Sequence, residues 1–454
     1  MQRPPFWTAQ KHGQDWTDPD VARASDWLKS YADAGTWNER TERAKAWYLD
    51  AAAGWRVGED RPVFDPRDTI AWFLLQADTY ASDRAFIEPG MASRIVGPLK
   101  RLGQHLDALR SIGGIDERAK DLLYPASPAE NGLFELLVAL AYKLHGWEAV
   151  DFVPRQRGKQ KTHEFDATRG KTSWAVECKW MSLPEPVIEE RRRVEALLAP
   201  FHAAMRAAGR SVKVDIEFLD EVANVEPAEI EAMTTAWVKR ARREWETPRF
   251  KARLRVIDYR YANALFKAGD RVFFGASRMI EVLSSETYDH DSQYSFRARW
   301  KECPERPRFA IGVSQASIVR WRSLSEGSLR RQATHFKRVV FGSLPQFPGD
   351  RPGVLHVGYD ATGGREAQER RDAQNRELMA AFDAREANLL WVYGNYLAPE
   401  ATTQRNESAG TEETAAAYRV GRHTTQEPLP DVLLLSDDEP KLGGHWLYPQ
   451  YSRF

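Results

Sequence analysis

The stretch His163-Glu164-Phe165-Asp166-Ala167-Thr168-Arg169-Gly170-Lys171-Thr172-Ser173-Trp174-Ala175-Val176-Glu177-Cys178-Lys179-Trp180 reads as a β-hairpin. Strict alternation puts Trp174, Val176, Cys178 and Trp180 on one face of its second strand and Ala175, Glu177 and Lys179 on the other. A two-residue turn at Gly170-Lys171, with glycine first as a type II′ hairpin prefers, sets Phe165 opposite Val176 and Ala167 opposite Trp174. Apolar then meets apolar. The same register sets Glu164 opposite Glu177, and Asp166 opposite Ala175 and diagonal to Glu177, so that carboxylates and one lysine are expected to gather on one side of the sheet.

Carboxylates pressed together repel unless a divalent cation sits between them. Mg²⁺ suits such all-oxygen ligands, with Mn²⁺ as a substitute, because it keeps several waters and accepts one or two carboxylates plus a substrate phosphate. The expected metal ligands are Asp166, Glu177 and Glu164. A metal held there would polarise a scissile phosphate and acidify a bound water, while Lys179 would orient that water or stabilise developing negative charge. This is the chemistry of phosphodiester hydrolysis.

Upstream, Ser127-Pro128-Ala129-Glu130 has the form of a capping box with proline at the first helical position. Leu133, Phe134, Leu137, Val138, Leu140, Ala141 and Leu144 then share one helical face, and Glu135 projects from the other, either solvated or reaching a neighbouring site. Between helix and hairpin lies a basic loop in which Arg155, Arg157, Lys159 and Lys161 are expected to contact nucleic-acid phosphates. Further basic clusters lie at 191–193, 239–243 and 330–338 and read first as solvated helix faces.

The segment from Glu135 to Trp180 resembles the PD-(D/E)xK superfamily of restriction-endonuclease-like nucleases: a leading helix with an acidic residue, an apolar strand after Gly146, then Glu164-Phe165-Asp166 and Val176-Glu177-Cys178-Lys179. The resemblance implies that Asp166 and Glu177 hold metal, that Lys179 is the catalytic lysine and that Glu135 is an accessory acid. It departs from the pattern in lacking the proline before the first acid, where His163-Glu164 stands instead. The first motif acid aligns with Glu164 by hairpin register and with Asp166 by residue type.

The rest of the chain frames this centre. At 454 residues it exceeds what one core usually organises, and 42% hydrophobic residues with 16 tryptophans exclude general disorder. Residues 1–120 read as an N-terminal helical region, 121–398 as an α/β nuclease-like domain with additions, and 399–454 as a flexible linker and C-terminal segment. The expected fold is α/β: a restriction-endonuclease-like mixed sheet flanked by helices. Strands are expected at 150–153, 164–168, 174–180, 212–218, 253–259, 309–313, 354–359 and 388–393, and helices at 186–208, 228–245, 328–341 and 365–385. The apolar run 431–435 reads as an added edge strand.

Lys plus Arg equals Asp plus Glu, at 65 each, so the net charge gives no steering toward a polyanion and any DNA contact must be local. No run approaches about 18 apolar residues and no secretion signal opens the chain, so no membrane partner and a cytoplasmic location are expected. Two cysteines and scattered histidines provide neither a disulfide framework nor zinc-ligand spacing. No phosphate-binding Gly-x-x-x-x-Gly-Lys-Ser/Thr loop is present, so any ATPase would be a separate partner, and a homodimer stays equally open. The competing expectation is a catalytically inactive protein of the same fold that binds nucleic acid or acts as a scaffold.

Overall fold

The computed structural model describes residues 6–7, 19–57, 61–81, 86–125, 128–155, 162–181, 185–240, 242–273, 277–286, 288–289, 292–304, 306–323, 325–360, 364–384, 387–401, 409–429 and 433–435. In chain order the first elements are β1 (Phe6–Trp7), α1 (Pro19–Lys29), α2 (Ala34–Val57), α3 (Thr69–Ala81), α4 (Pro89–Gln104), α5 (Leu106–Arg110), α6 (Ile115–Leu122) and α7 (Ala129–Leu144). Then follow β2 (Ala149–Phe152), β3 (Phe165–Arg169), β4 (Thr172–Met181), α8 (Glu185–Ala207), β5 (Val212–Phe218), α9 (Pro227–Val238), β6 (Glu244–Glu246), β7 (Phe250–Val256), α10 (Arg260–Lys267), β8 (Val272–Phe273) and α11 (Ser277–Ser284). The chain continues with β9 (Gln293–Cys303), β10 (Arg306–Ser323), α12 (Glu326–Ser343), β11 (Gly353–Asp360), α13 (Gly364–Ala380), β12 (Leu389–Ala401) and β13 (Ala409–Arg419).

Two mixed sheets result, which makes the protein α/β. The first has the order β1-β13-β12-β11-β4-β3-β2, with β4, β11 and β12 parallel and the strands at either side antiparallel. Its hairpin has the register that apolar pairing dictates: Phe165 faces Val176, Asp166 faces Ala175 and Ala167 faces Trp174. Gly170 opens the turn at a φ of 59°, where a side chain would be strained.

Both faces of this sheet are covered. Phe165, Ala167, Trp174, Val176 and Cys178 pack with α7 and with the N-terminal helices, whose Val21, Trp27, Trp72 and Leu99 belong to the same continuous core. The N-terminal helical region therefore shares its core with the hairpin rather than building one of its own. Ala175, Met181, Leu355 and Val357 pack on the opposite face with Phe336 and Val340 of α12 and Met379 of α13.

The second sheet is inserted between β4 and β11. It runs β6-β7-β5-β10-β8, with β9 also paired to β10. One face carries α8 and α9 through Leu198, Phe201, Met233 and Trp237, and part of the other carries α10 and α11 through Ala262, Met279 and Leu283. Basic residues of the helix faces are drawn into this framework as well: Arg193 donates to the carbonyl of Val225 at 3.0 Å.

Three expectations need correction. Residues 399–417 do not form a linker throughout: the described part completes β12 and supplies β13, paired from Ala401–Ala409 to Trp391–Arg419. Low side-chain hydrophobicity hid a strand whose stability comes from its ladder. Residues 433–435 are buried but not in a strand, because the amides of Leu434 and Leu435 donate to the Glu413 carboxylate, each at 2.8 Å. Finally, α7 begins at Ala129 with Pro128 as its N-cap residue and no side-chain cap, while Ser127 lies outside the described residues. Among the described residues no helix is long and apolar enough to cross a membrane.

Candidate active site

Strand β4 is central in its sheet, so its side chains are buried on both faces, including the one place where alternation sets a carboxylate. Glu177 is 0% exposed. It forms an ion pair with Lys179, two positions along the same strand, and outside that pair neither carboxylate oxygen has a hydrogen-bond partner among the described residues. Burial raises the Glu177 pKa to about 8; Lys179 opposes the shift, and Glu164 and Glu135 add to it. Lys179 is partly exposed, and its Nζ also donates to Gln346 Oε1 at 3.2 Å.

Glu135 lies deeper than a polar helix face would put it. With α7 packed on β4 and against α4, α5 and α6, the helix is buried nearly all round, and Glu135 is only 2% exposed. Asn131, one turn earlier, donates its amide to Glu135 and accepts the backbone N–H of Trp180 at 2.8 Å, which ties the helix to the end of β4. Burial raises the Glu135 pKa to about 7, Glu164 raises it further, and Arg155 and Arg118 pull it down.

Two arginines gather Glu135 and Glu164. Arg118 of α6, 6% exposed, pairs with Glu164 at 2.8 Å and with Glu135 at 3.6 Å. It also donates to the carbonyls of Val153 and Glu164, both at 3.2 Å, and its guanidinium lies 4.9 Å from the Phe152 ring centroid. Arg155 contacts both oxygens of Glu135, at 3.0 and 3.2 Å, and approaches Glu164 at 3.6 Å. The remaining members of the basic loop, Arg157, Lys159 and Lys161, lie outside the described residues.

Asp166 is held differently. His163 Nε2 lies 2.8 Å from its Oδ1 and Arg351 donates to the same oxygen at 3.1 Å. Of the two alternatives for the first motif acid, Glu164 is the one whose charge acts on Glu177 and Glu135. The structure thus brings Glu135, Glu164, Glu177 and Lys179 into one electrostatic neighbourhood and turns Asp166 toward Arg351.

Sequence reasoning missed Arg118, Asn131, Gln346 and Arg351. Asn131 and Glu135 at a helical i, i+4 spacing are the one local signal that was available. The others reach the site from α6 and from the segment before β11, far away in the chain.

Among the described residues no group of three or more His, Cys, Asp and Glu side chains stands close enough to hold a metal ion as arranged. The fit to a divalent cation rests on the Glu177 carboxylate, fully buried and, among the described residues, without a hydrogen-bond partner outside its ion pair with Lys179, near two further acids whose positive partners are arginines. A buried carboxylate with a single cationic partner is costly, and a divalent cation would offset the cost. Comparison with family models, with curated proteins and with solved structures finds no match for this chain.

Proposed function

We propose that the protein is a divalent-metal-dependent nuclease that hydrolyses phosphodiester bonds in DNA, on a core of the restriction-endonuclease-like kind. The observation that carries this reading is the buried carboxylate of Glu177, without a hydrogen-bond donor beyond its ion pair among the described residues, next to the ammonium of Lys179 and within electrostatic reach of Glu164 and Glu135. Glu177 and Glu164 would hold the ion. Two carboxylates match what Mg²⁺ takes from a protein while keeping waters and accepting phosphate. Bound there, the ion would supply Lewis-acid polarisation of the phosphate and a water of lowered pKa.

The chain's own residues do the rest. Lys179, partly open to solvent, presents its ammonium where negative charge would develop on the phosphoryl oxygens. Glu135, fixed by Asn131 and the two arginines, adds its charge to the field of burial, Lys179 and Glu164 in which Glu177 ionises. Arg155 stands at the rim, where the basic loop begins.

A second reading is favoured by one feature: Glu135, Glu164 and Asp166 each already have an arginine partner. A protein that keeps the fold but binds nucleic acid without cutting it would show the same pairing. Calorimetric titration of Mg²⁺ and Mn²⁺, with cleavage of plasmid and single-stranded DNA, separates the two. The nuclease reading expects the wild type to bind metal and cut, Glu177→Ala to lose both, and Lys179→Ala to keep metal while cutting about 10²-fold more slowly or worse. Absence of cleavage with either metal on either substrate would leave the binding module as the function.

A further inference from the structure

The two arginines that neutralise Glu135 and Glu164 differ in how they are held. Arg118 is buried, and two backbone carbonyls and an aromatic face fix its guanidinium whatever the acids do. Arg155 is 49% exposed, and the contacts described for its side chain are all to carboxylates: Glu135, Glu164 and, at 3.6 Å, Asp121. It is the first residue of the basic stretch Arg155-Gln156-Arg157-Gly158-Lys159-Gln160-Lys161. One arginine is built in, and the other is half-exposed and held through carboxylates.

We infer that Arg155 is an exchangeable counter-ion: it neutralises Glu135 and Glu164 while no metal is bound, lets go when a divalent cation takes Glu164, and transfers its guanidinium to a DNA phosphate. The inference rests on the nuclease reading given above. Charge explains why the exchange is needed. Binding a cation requires Glu164 and Glu177 in ionised form, and with Glu135 ionised as well the acids of the site carry three negative charges. Those three acids are then already matched by Arg118, Arg155 and Lys179, so a divalent ion entering with all three cations in place meets a neutral site and gains little.

With Arg155 swung out, the same site plus the ion carries one positive charge in excess, which one phosphodiester group cancels. Arg155 then meets a second phosphate as a planar donor pair, the geometry for which guanidinium is suited. Metal and DNA therefore strengthen each other's binding, and by linkage the strengthening is equal in both directions. Without the substrate, Arg155 competes with the metal. With it, Arg155 is withdrawn from competition by the phosphate.

The test compares wild type, Arg155→Gln and Arg155→Lys, all of which should fold because the side chain is half-exposed. Ca²⁺, a hard divalent ion with the same oxygen preference, is titrated calorimetrically with and without a short DNA duplex. In wild type the duplex should tighten Ca²⁺ binding by on the order of tenfold. In Arg155→Gln, Ca²⁺ alone should bind tighter than to wild type by a similar factor, and the duplex should add little. The salt dependence of duplex binding should fall by about one phosphate contact in Arg155→Gln and be kept in Arg155→Lys.

If wild type binds Ca²⁺ and the duplex but Arg155→Gln binds Ca²⁺ no more tightly, Arg155 is a fixed structural counter-ion and the inference is overturned while the nuclease reading stands. If wild type takes up neither Ca²⁺, Mg²⁺ nor Mn²⁺, the nuclease reading fails and the exchange goes with it.

Discussion

Glu177 pairs with the Lys179 ammonium along one strand, yet its carboxylate has no other hydrogen-bond donor among the described residues and no exposure to water. Proton binding is the response open to such a group in the metal-free protein, which is why burial raises its pKa from 4.5 to about 8. The folded state then binds more protons than the unfolded state between those values. Stability from this group is fully present below the unfolded value and is lost as pH rises through about 8.

The first prediction follows. In metal-free protein, urea midpoints should fall as pH rises from the unfolded carboxyl range to about 8. Glu177→Gln should flatten that slope and be the more stable protein at the alkaline end by about 1–3 kcal/mol. A wild-type midpoint that rises over the same interval would contradict the burial of an unsatisfied carboxyl.

A second prediction concerns which acid of the hairpin holds metal. Glu164 acts electrostatically on Glu177, whereas Asp166 is bound by His163 and Arg351. Glu164→Gln should weaken Mg²⁺ binding by tenfold or so, in line with loss of one charged ligand, and Asp166→Asn should change it far less. Equal losses in the two variants would mean that Asp166 leaves Arg351 when metal binds.

The third uses the contrast between the arginines. Arg118→Ala leaves Glu164 and Glu135 with Arg155 as their one remaining arginine and should destabilise the fold by about 3–5 kcal/mol. Arg155→Ala removes a half-exposed partner and should cost about 1 kcal/mol or less. Denaturant unfolding of the two variants side by side measures the difference.

A fourth addresses how α7 is seated. A Cβ placed on Gly358 of β11 would lie 2.6 Å from the Phe134 ring, and Phe134 packs edge-on against Trp180 at 5.8 Å between centroids. Gly358→Ala should push the helix off the sheet, lowering stability by about 1–3 kcal/mol, and should weaken metal binding too because Asn131 and Glu135 travel with that helix. Calorimetry and thermal melting of this variant check both parts.

The hairpin was legible because its information is local. Phe165, Ala167, Trp174 and Val176 can be paired in only one register without exposing apolar side chains, and Gly170 marks the turn. Each of the eight expected strands meets an observed one, with the strand expected at 253–259 shifted to 250–256, since each carries a local signal, either apolar alternation or, as in β11, a continuous apolar run. What escaped reading is fixed by pairing and packing rather than by a local apolar pattern. Strand β13 includes Ala415, Ala416 and Ala417, and it becomes a strand through its ladder with β12. Strand β9 sets Arg297, Arg299 and Lys301 in alternation with Phe296, Ala298 and Trp300, and its place is fixed by β10. The burial of Glu135 was illegible on a helical wheel, because α7 is enclosed by helices from upstream in the chain as well as by the sheet. Arg118 escaped for the same reason.

Strand β4 hydrogen-bonds to β11, with Val176 beside Val354 and Glu177 beside Leu355, although the whole inserted sheet separates them in the chain. During synthesis β4 leaves the ribosome with its glutamate and lysine in place but without the neighbour that encloses them. Loop closure across so long an interval adds little entropy beyond that of a shorter one, but it delays the pairing until the insertion has been made. The nascent chain therefore carries the buried glutamate and its lysine through the synthesis of the whole inserted sheet and encloses them only when β11 docks.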